Sequence, residues 1–313
     1  MANLPKLADM LGGDFHEEPL YAENVTHLTK QEALYVRAAK QLEKEVTQAE
    51  MDFFREVHAL EIKYQDRFNI LHDKRAKLIS GETPVGEDAV KDTPLIYGLQ
   101  DDAVKQIIDD LKDDPSSKGI PNFWLKALQN CPTTQDMIEE HDVPLLEKLL
   151  NVEAIVNSDP LGFTLRFTFA PNEFFEPNVV EKKYFYKIAP SDEAPYFFDG
   201  PLVEKCTVTT IEWKEGKNPT IKLVKRKQKK AKTGQSRFVT KHVQQTSFFN
   251  FFKSDLTPDA AETDYEVATL IREQVIPHAT IYYTGEHRDY DDFDEDSFDG
   301  FEDGDDASSD GDN

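Results

Sequence analysis

From Leu20 to Ser80 the chain carries neither glycine nor proline, so nothing in that stretch forces the backbone to turn. Thr29-Lys30-Gln31-Glu32 has the form of a capping box, in which the Thr oxygen takes a free amide and the Glu reaches back. Gly81 is placed to stop the helix, with Pro84 beyond it. A helix from Lys30 to Ser80 would be roughly 75 Å long at the ordinary helical rise, more than a domain of this size can bury within itself. Its apolar positions say what covers it. Val46, Ala49, Phe53, Val57, Leu60, Tyr64, Phe68 and Leu71 follow spacings of 3, 4, 4, 3, 4, 4 and 3. That rhythm, about 3.67 residues per turn, keeps the stripe nearly straight along the rod. Phe54, Ile62, Ile70 and Ile79 widen the apolar surface. A second copy of the same helix is the simplest partner, so the stripe predicts a homodimer. Glu43, Glu45, Glu50, Glu56 and Glu61 would oppose an anionic lipid surface, which argues against a helix lying on a membrane.

Beyond the rod the pattern changes twice. A turn-rich acidic loop runs from Gly81 to Asp92, and short helices are predicted at Val104–Leu111, Asn122–Gln129, Thr134–Glu140 and Pro144–Leu150. Near Asn151 the period becomes two. Phe163, Leu165, Phe167 and Phe169 alternate with Thr164, Arg166 and Thr168, as in a half-buried strand. Further strands are expected at Val179–Ile188, Lys205–Trp213, Thr220–Lys227 and Arg237–Val243, with proline and glycine clusters marking the turns of an antiparallel meander. Helix returns at Ser247–Lys253 and Ala261–Ile276. The reading is α+β: a flexible segment 1–28, a long dimerisation helix 29–80, an α/β domain 81–288 with a basic hairpin at 220–243, and a disordered tail 289–313. The domain would carry a short antiparallel sheet and flanking helices.

Charge bounds the partners. The chain has 60 acidic against 36 basic residues, a net charge of −24. Phosphate would be repelled, so DNA or RNA is not the expected primary ligand and a basic protein is. Two cysteines, Cys131 and Cys206, are too few for a disulfide framework and suit a reducing compartment. The sequence MANLPKLADMLGGDF has no basic region and apolar core of a signal peptide, and no run approaches the roughly eighteen apolar residues of a membrane span. A place in the nucleus, the cytoplasm or both is expected. Catalytic patterns are missing: no HExxH, CxxC, GxSxG or phosphate-cradling glycine loop occurs, and the histidines are scattered. Asp292, Asp294 and Asp296 begin like a calcium loop, but Ser297 stands where glycine is needed. The expectation is therefore a protein that is not an enzyme, with no metal and no cofactor.

Four charged or aromatic segments are candidate sites. The 25 residues from Asp289 to Asn313 hold thirteen acidic side chains and no Lys or Arg, with Tyr290, Phe293, Phe298 and Phe301 threaded among them. Exposed rings gain nothing in a merely solvating tail, so this pattern favours a flexible ligand for a basic partner over a solubility tail. Asp291, Asp292 and Asp294 stand beside the first rings. Lys222, Lys225, Arg226, Lys227, Lys229, Lys230 and Lys232 form a cationic island on the expected hairpin, open to three readings: nuclear import, DNA contact, or a solvated edge protected from aggregation. Asp136 and Glu140, four apart, would share a helix face near Glu139 and Asp142. Glu262, Asp264, Glu266 and Glu273 lie in or just before the last helix. Each acidic set reads by default as a solvated face. Ser247-Phe-Phe-Asn-Phe-Phe252 reads as core, anchoring the sheet to the last helix.

Lys118-Gly-Ile-Pro-Asn-Phe-Trp-Leu125, Gly162-Phe-Thr-Leu-Arg-Phe167, Ile211-Glu-Trp213, Ser247–Phe252, Ile276-Pro277 and Tyr283-Thr-Gly285 recur in this order in the nucleosome assembly protein family. The resemblance covers roughly residues 30 to 290. With the basic hairpin and SFFNFF both present, the chain resembles the nucleosome assembly protein 1 group. The resemblance implies an obligate homodimer with an α/β earmuff on each side, and an ATP-independent chaperone of core histones. The histone-2A/2B dimer would be its chief cargo and histone-3/4 a second. It implies that the acidic underside holds histone, with Asp136 and Glu140 among the contacts, and that 222–232 engages a nuclear import receptor in a shuttling protein. The segment before the rod is short and only mildly acidic, and the tail is aspartate-rich. Both depart from the family pattern. A regulatory protein that inhibits an enzyme such as a phosphatase is the alternative reading.

Overall fold

In the computed structural model the described residues are 25–99, 101–112, 114, 116–190, 196–198, 200–229 and 236–287. Helix α1 spans Lys30–Ile79 without interruption. Its start is the expected capping box. The Glu32 amide donates to Thr29 Oγ1 at 3.2 Å, and the Thr29 amide donates to Glu32 Oε2 at 2.6 Å. Those bonds hold the Glu32 carboxyl below its usual range. The helix ends where Gly81 turns to φ 74, and Gly119 in the GIPNFW segment stands against that end with φ 64. A Cβ on Gly119 would lie 2.1 Å from the Ile79 carbonyl oxygen, so this approach admits glycine alone. The Ile120 amide then donates to the Ile79 carbonyl at 2.8 Å, satisfying one of the carbonyls that a helix end leaves open.

Packing divides the chain within the helix. Among the described residues, one compact unit takes 25–59 with those of 187–202, and the other takes those of 60–186 and of 203–287. In the first unit, Thr47 Oγ1 donates to the Tyr196 carbonyl at 3.1 Å and Arg55 Nη2 donates to the Ile188 carbonyl at 3.2 Å. Phe54 meets Phe198 edge to face at 5.2 Å.

The second unit is α+β. Helices α2 (Asp101–Asp110), α3 (Phe123–Asn130), α4 (Pro132–Gln135) and α5 (Val143–Leu146) precede strands β1 (Leu149–Asn157), β2 (Gly162–Phe169), β3 (Phe175–Glu176), β4 (Val179–Lys187), β5 (Leu202–Val208) and β6 (Glu212–Trp213). A four-stranded sheet has the order β1-β2-β4-β5, and β3 pairs with β6 in a separate ribbon. Strands β7 (Ile221–Lys229) and β8 (Ser236–Gln244) form the hairpin, and α6 (Pro258–Leu270), a π-helical turn (Ile271–Val275) and α7 (Ala279–Thr284) follow.

Several expectations are corrected. The helix at Thr134–Glu140 breaks: α4 stops at Gln135, and a 3₁₀ turn takes Glu140–Asp142. Asp136 and Glu140 therefore do not share a helix face. The helix at Pro144–Leu150 ends at Leu146 because Leu149 already pairs with Phe169 as β1 begins. The strand Lys205–Trp213 divides, since Trp213 crosses to pair with Phe175. SFFNFF is a 3₁₀ turn, Phe248–Phe251, capped by Ser247 Oγ accepting from the Phe249 amide.

That turn builds the core. Phe248, Phe249, Phe251 and Phe252 are all buried. Phe252 meets Phe167 edge to face at 5.1 Å, and Phe249 meets Trp213 at 5.3 Å. Burying each ring contributes roughly 2–3 kcal/mol, and the edge-to-face pairs add about 1 kcal/mol each. The segments GFTLRF, IEW and SFFNFF thus meet in one cluster of rings.

Candidate functional site

The acidic turn after α4 is held rigidly. Asp142 is wholly buried, and its carboxylate accepts from Ser247 Oγ at 2.6 Å, from the Phe248 amide at 2.7 Å and from the Glu139 amide at 3.0 Å. Asp142 therefore presents no oxygen to a partner. It fixes its neighbours instead. Glu139 accepts from Thr246 Oγ1 at 2.7 Å, and His141 Nε2 lies 3.1 Å from the Thr246 carbonyl. Asp136 and Glu140 are left exposed on the surface of this stapled turn.

The second acidic set is also divided. Glu262 and Glu266 are exposed on α6. Asp264 turns inward, where its Oδ1 lies 2.5 Å from Lys182 Nζ and its Oδ2 accepts from Tyr184 at 2.7 Å. It is a packing carboxylate and not a surface contact. Glu273, in the π-helical turn, is half exposed at 3.8 Å from Arg272, whose shorter bond of 2.7 Å goes to Glu61. Nothing in the spacing of the acidic residues separates Asp142 and Asp264 from their exposed neighbours. The one local signal was Ser247 ahead of an apolar run, which marks a capped turn and hence a demand for nearby acceptors.

Among the described residues, nothing covers the stripe on α1. Val46, Ala49, Phe53, Val57, Leu60, Tyr64, Phe68 and Leu71 are all exposed, Phe53 at 63% and Leu71 at 60%. Thr47, Met51 and His58 lie on a neighbouring face of the helix and are buried. In the hairpin, Lys222 pairs with Val243 and Lys225 with Thr240, and both lysine side chains are exposed. Arg226, Lys227 and Lys229 lie on β7, opposite Val239, Phe238 and Ser236. Lys230 and Lys232 fall outside the described residues, as do Tyr290, Asp291, Asp292, Phe293, Asp294, Phe298 and Phe301.

Among the described residues no group of His, Cys, Asp and Glu is arranged to hold a metal ion, and no helix is long and apolar enough to cross a membrane. A family model described as Nucleosome assembly protein (NAP) matches residues 35–286. The chain belongs to the nucleosome assembly protein family. It is 37% identical over 294 residues to Nucleosome assembly protein 1-like 1-A of Xenopus laevis, covering 88% of this chain and 74% of that protein. It is 34% identical over 308 residues to the human Nucleosome assembly protein 1-like 1, covering 93% and 78%. The solved Nucleosome Assembly Protein 1 from Plasmodium knowlesi superposes with a TM-score of 0.51 at 28% identity, covering 83% of this chain and 99% of that one. Membership of the nucleosome assembly protein family carries a histone chaperone role in nucleosome assembly, and not an enzymatic one.

Proposed function

We propose that this chain acts as a homodimer that shields core histones without ATP, chiefly the histone-2A/2B dimer and also histone-3/4, and delivers them to DNA. The observation that carries the reading is the stapled turn. Asp136 and Glu140 stay exposed while Asp142 locks the backbone beneath them. A fixed anionic site meets a basic surface without first paying the entropy of being ordered, which favours specific contact over diffuse attraction. The exposed stripe from Val46 to Leu71 supports the dimer, because a monomer would leave that surface in water. The net charge of −24 supports competition with DNA for histone, since both present negative charge to the same basic surface. Exposed Lys222 and Lys225 on the hairpin support engagement of an import receptor and a protein that shuttles between nucleus and cytoplasm.

The test is a nucleosome assembly assay on plasmid DNA without ATP, run with the full chain and with Asp136→Lys combined with Glu140→Lys. The variant should bind histone-2A/2B roughly ten-fold or more weakly at moderate salt and lose assembly activity. Unchanged affinity would remove the acidic turn from the binding surface.

A further inference from the structure

One edge of β1 pairs with β2, and the other is closed only in part. At Val156 it is sealed. The Gln65 side chain accepts from the Val156 amide at 2.5 Å and donates to its carbonyl at 3.4 Å, standing in for the peptide group of a neighbouring strand. Backbone groups alternate in side along a strand, so Ala154, two residues earlier, turns its own amide and carbonyl to the same outer edge. Among the described residues, none bonds to either group there. In front of them lies a cavity of about 270 Å³, walled by Asn69, His72, Ile276 and Pro277, reached by Phe68 of the α1 stripe, and bordered by two carboxylates, Glu61 and Glu273, and one guanidinium, Arg272. Glu273 is the less neutralised carboxylate, because Arg272 gives its closer bond to Glu61.

This combination selects a ligand. An open strand edge takes an added strand through main-chain hydrogen bonds, the apolar wall takes an uncharged side chain, and the carboxylate takes a cation. We infer that the groove binds a short extended segment of a core-histone amino-terminal tail. One residue of the segment exchanges two hydrogen bonds with Ala154, as in an antiparallel pair. A neighbouring apolar side chain lies against Ile276 and Pro277, and a Lys or Arg reaches Glu273. The choice of a histone tail rests on the chaperone reading above and on the sign of the charge at the groove. The groove itself is separate from the turn that carries Asp136 and Glu140.

Replacing Ala154 by Pro removes the outer amide and leaves the β1–β2 bonds in place, and proline is tolerated where a strand amide faces outward from an edge. The full-length protein and A154P are compared for binding of the four core-histone amino-terminal tail peptides, each alone, with polylysine of equal length as the charge-only probe. At least one tail peptide should bind A154P about ten-fold more weakly while polylysine binds both proteins equally. In the unmodified protein, that peptide should slow amide hydrogen exchange across residues 152–156, a readout that stands even if A154P folds poorly. Equal peptide affinities, or exchange at 152–156 that the peptide leaves unchanged, would overturn the inference. So would a shift of A154P toward monomer with exchange already slow before peptide is added, because a second copy would then fill the groove. Intact histone-2A/2B is measured alongside. If it binds and no tail peptide does, the groove assignment fails alone, and if it does not bind, the chaperone reading fails separately.

Discussion

Lys182 and Asp264 form an ion pair inside the protein. Lys182 Nζ lies 2.5 Å from Asp264 Oδ1, with side-chain exposures of 0% and 10%. Lys182 also donates to the Phe251 carbonyl, and its Nζ lies 4.1 Å from the centre of the Phe251 ring. Burial lowers the Lys182 pKa and the Asp264 carboxylate pulls it back up. One side chain on β4 thus ties the sheet to the SFFNFF turn and to α6.

Breaking that pair from one side should be costly. Asp264→Asn leaves a buried ammonium without its counter-charge, and stability measured by urea unfolding should fall by about 3–5 kcal/mol. Replacing both partners, Lys182→Met with Asp264→Leu, should recover most of the loss because no charge is then buried. A double variant as unstable as the single one would show that the polar bonds to Tyr184 and Phe251, and not the charge, hold α6.

Removing Asp142 should act on the exposed turn from beneath. Three hydrogen bonds end on its carboxylate, so Asp142→Ala should cost about 2–4 kcal/mol. Histone-2A/2B affinity should fall as well, although Asp142 touches no partner. A variant that loses stability and keeps full affinity would show that the acidic turn needs no staple.

The α1 stripe predicts coupled loss of dimer and fold. Phe53→Asp with Leu60→Asp places two charges on an apolar seam, and sedimentation should report monomer together with a lowered melting temperature. A well-folded monomer in the unmodified protein would contradict the dimer reading.

For the hairpin, changing Lys225, Arg226, Lys227, Lys229 and Lys230 to Ala should hold a fluorescently tagged chain in the cytoplasm while histone binding in solution survives. Unaltered nuclear entry would leave the hairpin as a solvated or DNA-contacting edge.

His72 should make part of the stability depend on pH. Its pKa lies below 6.5 because burial, and then nearby Arg75, disfavour the imidazolium, with Asp73 opposing them weakly. The unfolded chain takes up that proton near pH 6.5 while the folded chain resists it. The contribution is therefore fully present above about pH 6.5 and is lost as pH falls below it toward the folded value. His72→Gln should show a smaller drop in melting temperature than the unmodified protein between pH 7.5 and 5.5. Equal drops would place the acid sensitivity elsewhere.

The long helix, its cap and its apolar stripe were legible because each is a local property. Thr29 and Glu32 sit three apart, Gly81 supplies the stop, and the stripe repeats along one straight element. The strand at Phe163–Phe169 was legible for the same reason, since alternation needs no knowledge of what lies opposite. The break between Asp136 and Glu140 was not. It depends on Asp142 finding Ser247 and Phe248 more than a hundred residues away, and those bonds outweigh the local helical preference of the segment.

Charge shows the same division. Sequence alone determined that the protein is acidic, that seven of its cations form one run at 222–232, and that its long helix carries a continuous apolar stripe, because composition and periodicity are additive along a chain. It could not sort the carboxylates. Asp136 and Asp142, or Glu262 and Asp264, are chemically alike and lie in similar local sequence, yet one of each pair is exposed and the other is not. Only the tertiary structure decided which was which. Burying a carboxylate is tolerated only where donors converge on it, and Lys182, Tyr184, Ser247 and the Phe248 amide converge only once the sheet, the ring cluster and α6 have come together.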